Sequence, residues 1–175
     1  LTLAEMGYDI ALHYNLSKDE SEKTAGEIKA LGRSCEIFQA DLARMKEVRT
    51  LVSRVFEAFP GCGVLINSAS IFENIPFGEV TEESFDRDMT VNFKAPFFLS
   101  WDFAKEPSAE LIVNMLDSRI SKHDTSHFVY NITKKALRDF TLMAARALGP
   151  KVRVNGICPG PVLPPPGKSE DYLIR

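Results

Sequence analysis

Two short and almost uninterrupted apolar runs, Gly63-Val64-Leu65-Ile66-Asn67 and Leu111-Ile112-Val113-Asn114-Met115-Leu116, constrain the fold of this chain more than any other feature. A strand with one wet face alternates apolar and polar side chains. A strand covered on both faces does not, and such strands belong to parallel sheets flanked by helices. The intervening segments supply those helices. Ser17 with Glu20 has the form of a capping box opening a helix that ends at Gly32, with Ala25, Ile28 and Leu31 on one face. Val48, Leu51, Val52, Val55 and Phe56 give helical spacing over 45–59, Thr81 with Ser84 caps a long helix to about residue 105, and a further helix covers about 126–148. Residues 8–14, 35–41 and 152–157 read as strands. The segment 159–167 holds five prolines and two glycines, which excludes regular structure. Residues 1–7 look like the last turns of a helix closed by Gly7.

Strands alternating with helices predict an α/β fold, a doubly wound parallel sheet in three layers (α/β/α), over residues 1–175 as a single domain. In such sheets ligands bind outside the carboxyl ends of the strands, so Asn15, Asp41, Asn67, Asp117 and Pro159 become the positions to inspect. A net charge of −3 and a pI near 5.7 argue against nucleic acid or an anionic membrane as partner and favour a small molecule. No apolar run is long enough to span a bilayer and no secretory leader pattern is present, so a cytoplasmic protein is expected. Cys35, Cys62 and Cys158 have neither disulfide nor metal spacing, and no metal site is expected. His123 and His127 read as surface residues, since two histidines without a third ligand do not make a metal site.

Chemistry is densest at Tyr130-Asn131-Ile132-Thr133-Lys134. Positions four apart share a helix face, so the Lys134 ammonium can approach the Tyr130 phenol and favour its ionised form. With Asp41-Leu42 after one strand, Asn67-Ser68-Ala69-Ser70 after another, Asn92 in the long helix and Pro159-Gly160 after the last strand, the chain resembles the classical short-chain dehydrogenase/reductases, which have a Rossmann-like fold. The resemblance implies NAD(P)-dependent hydride transfer. Tyr130 would be the proton donor, Lys134 would hold the nicotinamide ribose and lower the Tyr130 pKa, and Asn92 would anchor a water in the proton relay. It also implies contact between Asp41 and adenine, which is compatible with Asp41 capping the next helix, and a homotetramer built on two long helices. The cluster Phe93, Phe97, Phe98, Trp101 and Phe103 would serve as core and subunit interface.

Where the family has a serine thirteen residues before the tyrosine, this chain has Asp117. That substitution resembles the pteridine reductase branch, as does Phe72, placed where that branch stacks an aromatic ring on a flat heterocycle. Reduction of a pterin or dihydrofolate-like substrate is the activity implied, with Phe72, Asp117 and Tyr130 at the substrate. Two alternatives stand beside it: a carbonyl or 3-oxoacyl reductase in which Ser118 takes the serine's role, and a catalytically silent binding protein. The end of the second family strand, His13-Tyr14-Asn15-Leu16-Ser17-Lys18, has no carboxylate, so NADP(H) is expected over NAD(H), with the Ser17 hydroxyl at a helix start and the Lys18 charge near the 2′-phosphate. Pteridine reductases usually carry an arginine at the position of Leu16, and Ser17 can equally be a plain helix cap. Asn67, Ser68, Ala69, Pro159 and Gly160 complete the cofactor-binding set. The chain starts after the point where the family's first strand and glycine-rich turn would stand and lacks the last strand, so a longer native protein is expected.

Overall fold

The computed structural model describes residues 1–123 and 125–160. Short helix α1 (Thr2–Glu5) leads through Gly7, at φ 96, to strand β1 (Ile10–Tyr14), helix α2 (Lys18–Ala30), β2 (Cys35–Gln39), α3 (Met45–Ala58) and β3 (Val64–Asn67). Then come α4 (Glu82–Met89), α5 (Ala95–Phe103), β4 (Leu111–Met115), α6 (Phe128–Leu148) and β5 (Arg153–Ile157). Every strand pair is parallel, as expected of a doubly wound fold. The strands nevertheless fall into two sheets, β1-β2 and β3-β4-β5. Between them runs a groove of about 820 Å³ lined by Ile10 and Leu12 on one side and Val64 and Ile66 on the other. This explains why β3, expected to be covered on both faces, leaves Ile66 40% exposed.

The main core joins α3 to α5 through Val48, Leu51, Val52, Leu99 and Phe103, and reaches Ile112 and Val154 of the second sheet and Phe38 of the first. A smaller cluster, Ala4, Ala25, Ile28 and Cys35, lies under α2. Burial pushes the Cys35 and Cys62 thiols up, in keeping with their reading as small apolar residues. Leu31 does not join this cluster; it is the C-cap of α2 and stands exposed, and Gly32 ends the helix at φ 78. Ser17 is the N-cap of α2, but its side chain makes no capping bond, so the capping box expected with Glu20 does not form. The Thr81/Ser84 box does form, each side chain bonding the other residue's backbone N–H.

The long helix expected to run to residue 105 is interrupted. Between α4 and α5 the backbone opens into a π turn, Thr90–Lys94, where the Ala95 N–H reaches back to the Thr90 carbonyl. Pro96 supplies the reason: it has no N–H to give the Asn92 carbonyl four residues earlier, and its ring crowds that carbonyl. The aromatic cluster divides accordingly. Phe103 is core and packs at a tilt against Phe56, Phe93 and Phe97 meet Phe140 of α6, Phe98 lies beneath the Arg49 guanidinium, and Trp101 is 56% exposed.

Candidate active site

The carboxyl ends of β3 and β4, the start of α6 and the loop after β3 converge. Asp117 follows β4 and caps a 3₁₀ turn, Ser118–Ser121, by accepting the Arg119 N–H on Oδ1 at 2.7 Å. Its other oxygen, Oδ2, accepts the Tyr130 hydroxyl at 2.8 Å. One carboxylate therefore holds both the turn and the phenol. The alternative partner, Ser118, is exposed; its N–H donates to the Pro159 carbonyl at 3.2 Å. A one-residue slide would turn the side chain at this position away from the phenol, because successive residues leaving a strand point in opposite directions.

Tyr130 and Lys134 are both buried on α6, one turn apart. The Lys134 ammonium donates to the Met115 carbonyl at 2.8 Å and lies 5.6 Å from the Tyr130 ring centre. Burial, then the hydrogen bond and charge of Asp117, push the Tyr130 phenol above its ordinary range, with Arg119 pulling the other way. The influences on this phenol are burial, Asp117 and Arg119, while the Lys134 ammonium is committed to the Met115 carbonyl. Burial also lowers Lys134, opposed by Asp117. Tyr130 is thus held as a protonated donor.

Asn92 sits in the π turn and is fully buried. Its Oδ1 accepts the Ser70 hydroxyl and the Ile71 N–H, both at 2.9 Å, and its Nδ2 donates to the Ile71 carbonyl at 3.0 Å. The side chain therefore clamps the loop after β3. The clamped loop presents Phe72, 51% exposed, whose ring centre lies 4.6 Å from that of Tyr130 in a T-shaped arrangement. His127, read as a surface residue, instead stacks on Phe72, and Arg119 approaches the same ring; His123 is exposed.

The remaining candidates have mixed surroundings. His13 Nε2 contacts the Ala40 carbonyl at 2.9 Å and ties β1 to the end of β2, with Tyr14 half-buried beside it. Asn15, Leu16 and Ser17 are exposed, and Lys18 pairs loosely with Glu22 at 3.5 Å. Asp41 does not cap α3, whose N-cap is Arg44; it accepts the Ala43 N–H at 2.9 Å, while its own N–H donates to Glu47. Leu42 is core. Asn67 is buried, donating to Ser100 Oγ at 3.1 Å and Asn114 Oδ1 at 2.8 Å, and Asn114 donates to Thr141 Oγ1 at 2.9 Å. Ser68 and Ala69 lie exposed just beyond. Gly160 is exposed, and the rest of the proline-rich segment from residue 161 lies outside the described residues. The chain Ser100-Asn67-Asn114-Thr141 was not legible beforehand; a lone Asn inside an apolar strand was its one sequence signal.

The whole chain to residue 171 matches the short chain dehydrogenase family. It belongs to that family. Among solved structures, it is 37% identical to the FolM alternative dihydrofolate reductase 1 of Brucella suis in complex with NADP, at a TM-score of 0.86 over 93% of this chain and 68% of that one. A short chain dehydrogenase of Burkholderia cenocepacia in complex with NADP is 33% identical, at a TM-score of 0.86 over 91% of this chain and 66% of that one. Among curated proteins, a short chain dehydrogenase of Emericella nidulans is 28% identical over 91% of this chain and 62% of its own length. A 3-oxoacyl-[acyl-carrier-protein] reductase of Staphylococcus epidermidis is 29% identical over 91% and 67%. The chain thus spans about three fifths of the length of the first of these curated relatives.

One further titratable group of this short-chain dehydrogenase lies near the site. Asp88, four residues before Asn92, is 3% exposed, and burial, reinforced by Glu73 and opposed by Arg87, pushes it up to about 6 from 3.8. A carboxyl whose folded pKa is raised stabilises the fold fully below its unfolded pKa and loses that contribution as pH rises through the folded one. The affected window is therefore about pH 4 to 6. Asp88→Asn is expected to raise stability at pH 7.5 by about 3 kcal/mol and to leave it unchanged at pH 3.5, measured by denaturant titration at both pH values.

Proposed function

We propose that this chain carries the chemical site of a cytoplasmic, NADP(H)-dependent short-chain reductase that acts on a pterin or dihydrofolate-like heterocycle. The observation that carries the reading is the 2.8 Å bond from Tyr130 to Asp117, with the Phe72 ring against the same tyrosine. Reducing a ring C=N adds a hydride to carbon and a proton to nitrogen. The cofactor supplies the hydride when bound. Tyr130, held protonated by burial and by Asp117, would turn its one hydroxyl proton from Asp117 Oδ2 to the ring nitrogen, and the proton it gives up would be replaced from solvent by way of Asp117. Lys134 and Arg119 are the cations that face the phenolate left behind.

The residues present fit a dinucleotide. The Lys134 ammonium, buried beside Tyr130, would hold the nicotinamide ribose, and Asn67, Ser68 and Ala69 at the end of β3 with Pro159 and Gly160 after β5 would line the rest of the dinucleotide. Ser17, its hydroxyl unused by the cap, and Asn15 and Lys18 would take the 2′-phosphate at the α2 N-terminus, with His13 and Tyr14 beneath and Asp41 and Leu42 at the adenine. Support for NADP(H) over NAD(H) comes from the missing carboxylate at the end of β1 and from relatives crystallised with NADP. Exposed Trp101 on α5 and Leu142 and Met143 on α6 support assembly as a homotetramer, to be measured by light scattering on the full-length protein.

The test is NADPH titration by fluorescence followed by NADPH oxidation with dihydrobiopterin, dihydromonapterin and dihydrofolate, using full-length protein. Binding with turnover of at least one of these is expected. Turnover of 3-oxoacyl thioesters alone would move the protein to the carbonyl reductases, and no NADPH binding would make it a silent binding protein.

A further inference from the structure

We propose that His127 is a built-in occupant of the ring-stacking site on Phe72, a plug that a flat heteroaromatic substrate displaces, so that His127 sets substrate affinity. This rests on Phe72 as the stacking platform of the proposed reaction.

The imidazole lies over Phe72 with ring centres 3.9 Å apart and planes 11° from parallel, the geometry a bound heterocycle would adopt. The Phe72 and Tyr130 ring centres lie 4.6 Å apart in a T-shaped arrangement and the His127 and Tyr130 ring centres 6.5 Å apart, so the position the imidazole takes is beside the proton donor. Arg119 Cζ is 5.0 Å from the Phe72 centre, and its Nη1 is 3.3 Å from His127 Nδ1. A contact that short between the two places both toward one side of Phe72 rather than on opposite faces. The plug is held from outside the ring as well. The His127 N–H donates to Asn74 Oδ1 and the Phe128 N–H to the Ile75 carbonyl, both at 3.3 Å, which clasps the loop carrying Phe72 to the start of α6. His127 itself sits at φ 51 and ψ 50, a left-handed conformation uncommon outside glycine. Rotation about χ1 takes the ring off Phe72 while the backbone bonds of His127 and Phe128 to the platform loop stay in place. Displacement of the plug breaks the imidazole contacts to Arg119 Nη1 at 3.3 Å and Ser126 Oγ at 3.2 Å.

The test compares full-length wild type with His127→Asn, which tolerates the left-handed backbone and caps a helix but cannot stack, and with His127→Tyr, which stacks over a larger area. Binding of pterin-6-carboxylic acid is read by its own fluorescence, and KM and kcat are taken separately for dihydropterin reduction. Expected are binding about five-fold tighter in His127→Asn, the equivalent of one aromatic pair, weaker binding in His127→Tyr, and a matching fall and rise in KM. A residue that only supported the fold would weaken binding in both variants. Equal binding in all three proteins, or none in any, overturns the plug. A ligand-free arm uses proton NMR: the imidazole signal that is lost in His127→Asn is expected upfield and to move back in Phe72→Leu, and its appearance at the ordinary position in wild type also overturns the proposal. Tighter pterin binding in His127→Asn without oxidation of NADPH by any dihydropterin would leave the plug standing and remove the reductase reading.

Discussion

Replacing Asp117 by alanine is expected to lower kcat for dihydropterin reduction by about 10² to 10⁴, the range a positioned proton-transfer group contributes. Two effects act together. The phenol loses the acceptor that holds it at 2.8 Å, and the acid–base partner behind it disappears. Part of the loss is positional, because Asp117 also accepts the Arg119 N–H and so fixes the turn that carries Arg119 toward Phe72. Asp117→Asn separates the parts: an amide keeps one oxygen acceptor for the turn, turns a donor NH2 toward the phenol and loses the carboxylate charge. Its kcat should fall nearly as far as that of the alanine variant, with KM changed less. Removal of the carboxylate also takes away two influences that raise the Tyr130 phenol, so the alkaline limb of the pH profile should move to lower pH in both variants. Ser118→Ala, by contrast, removes an exposed hydroxyl outside the reach of the phenol and should change kcat by less than about three-fold. Steady-state NADPH oxidation across pH checks all three.

The second large effect is on stability. Asn114 is fully buried and bridges Asn67 to Thr141, linking β3, β4 and α6, and Asn67 continues the chain to Ser100 on α5. Asn114→Leu would remove an acceptor and a donor at once and leave the Asn67 amide with Ser100 alone. Unsatisfied buried polar groups cost more than the bonds they made. A loss of about 3 kcal/mol is expected, roughly 6 to 12 °C in Tm for a domain of this size. Asn67→Ala and Asn114→Ala combined should cost less than the sum of the single changes, because the two residues share one bond. Additive losses in thermal melts would mean that the residues act independently.

How much of this was legible in the sequence depended on the distance over which each feature is determined. Alternation of period 2 and period 3.6 is local, and it located β2, α3, β4 and α6 to within a few residues. Asp117 was brought to Tyr130 by the resemblance, in which a polar residue thirteen positions before the tyrosine reaches it across one strand exit and one helix entry. Features that depend on pairing across the chain were not legible. The register placing Asn67 opposite Asn114, 47 residues apart, is set by the packing of β3 on β4. Phe72 and His127 meet only because the loop after β3 folds over the start of α6. The π turn had a local cause in Pro96, but the apolar residues on either side concealed it. Ser17 and Leu31 show the converse error: residue type suited a cap box and an apolar face, while the actual ends of α2 put both in water.

The most direct measurement is the ratio of kcat/KM for a dihydropterin to that for a 3-oxoacyl thioester, in full-length wild type and in Asp117→Ser, which restores the family's usual residue at this position. The account predicts a wild-type ratio well above one that falls by at least about 10² in Asp117→Ser, most of the change coming from lost pterin reduction. A wild-type ratio below one, or a ratio that Asp117→Ser leaves unmoved, would contradict it.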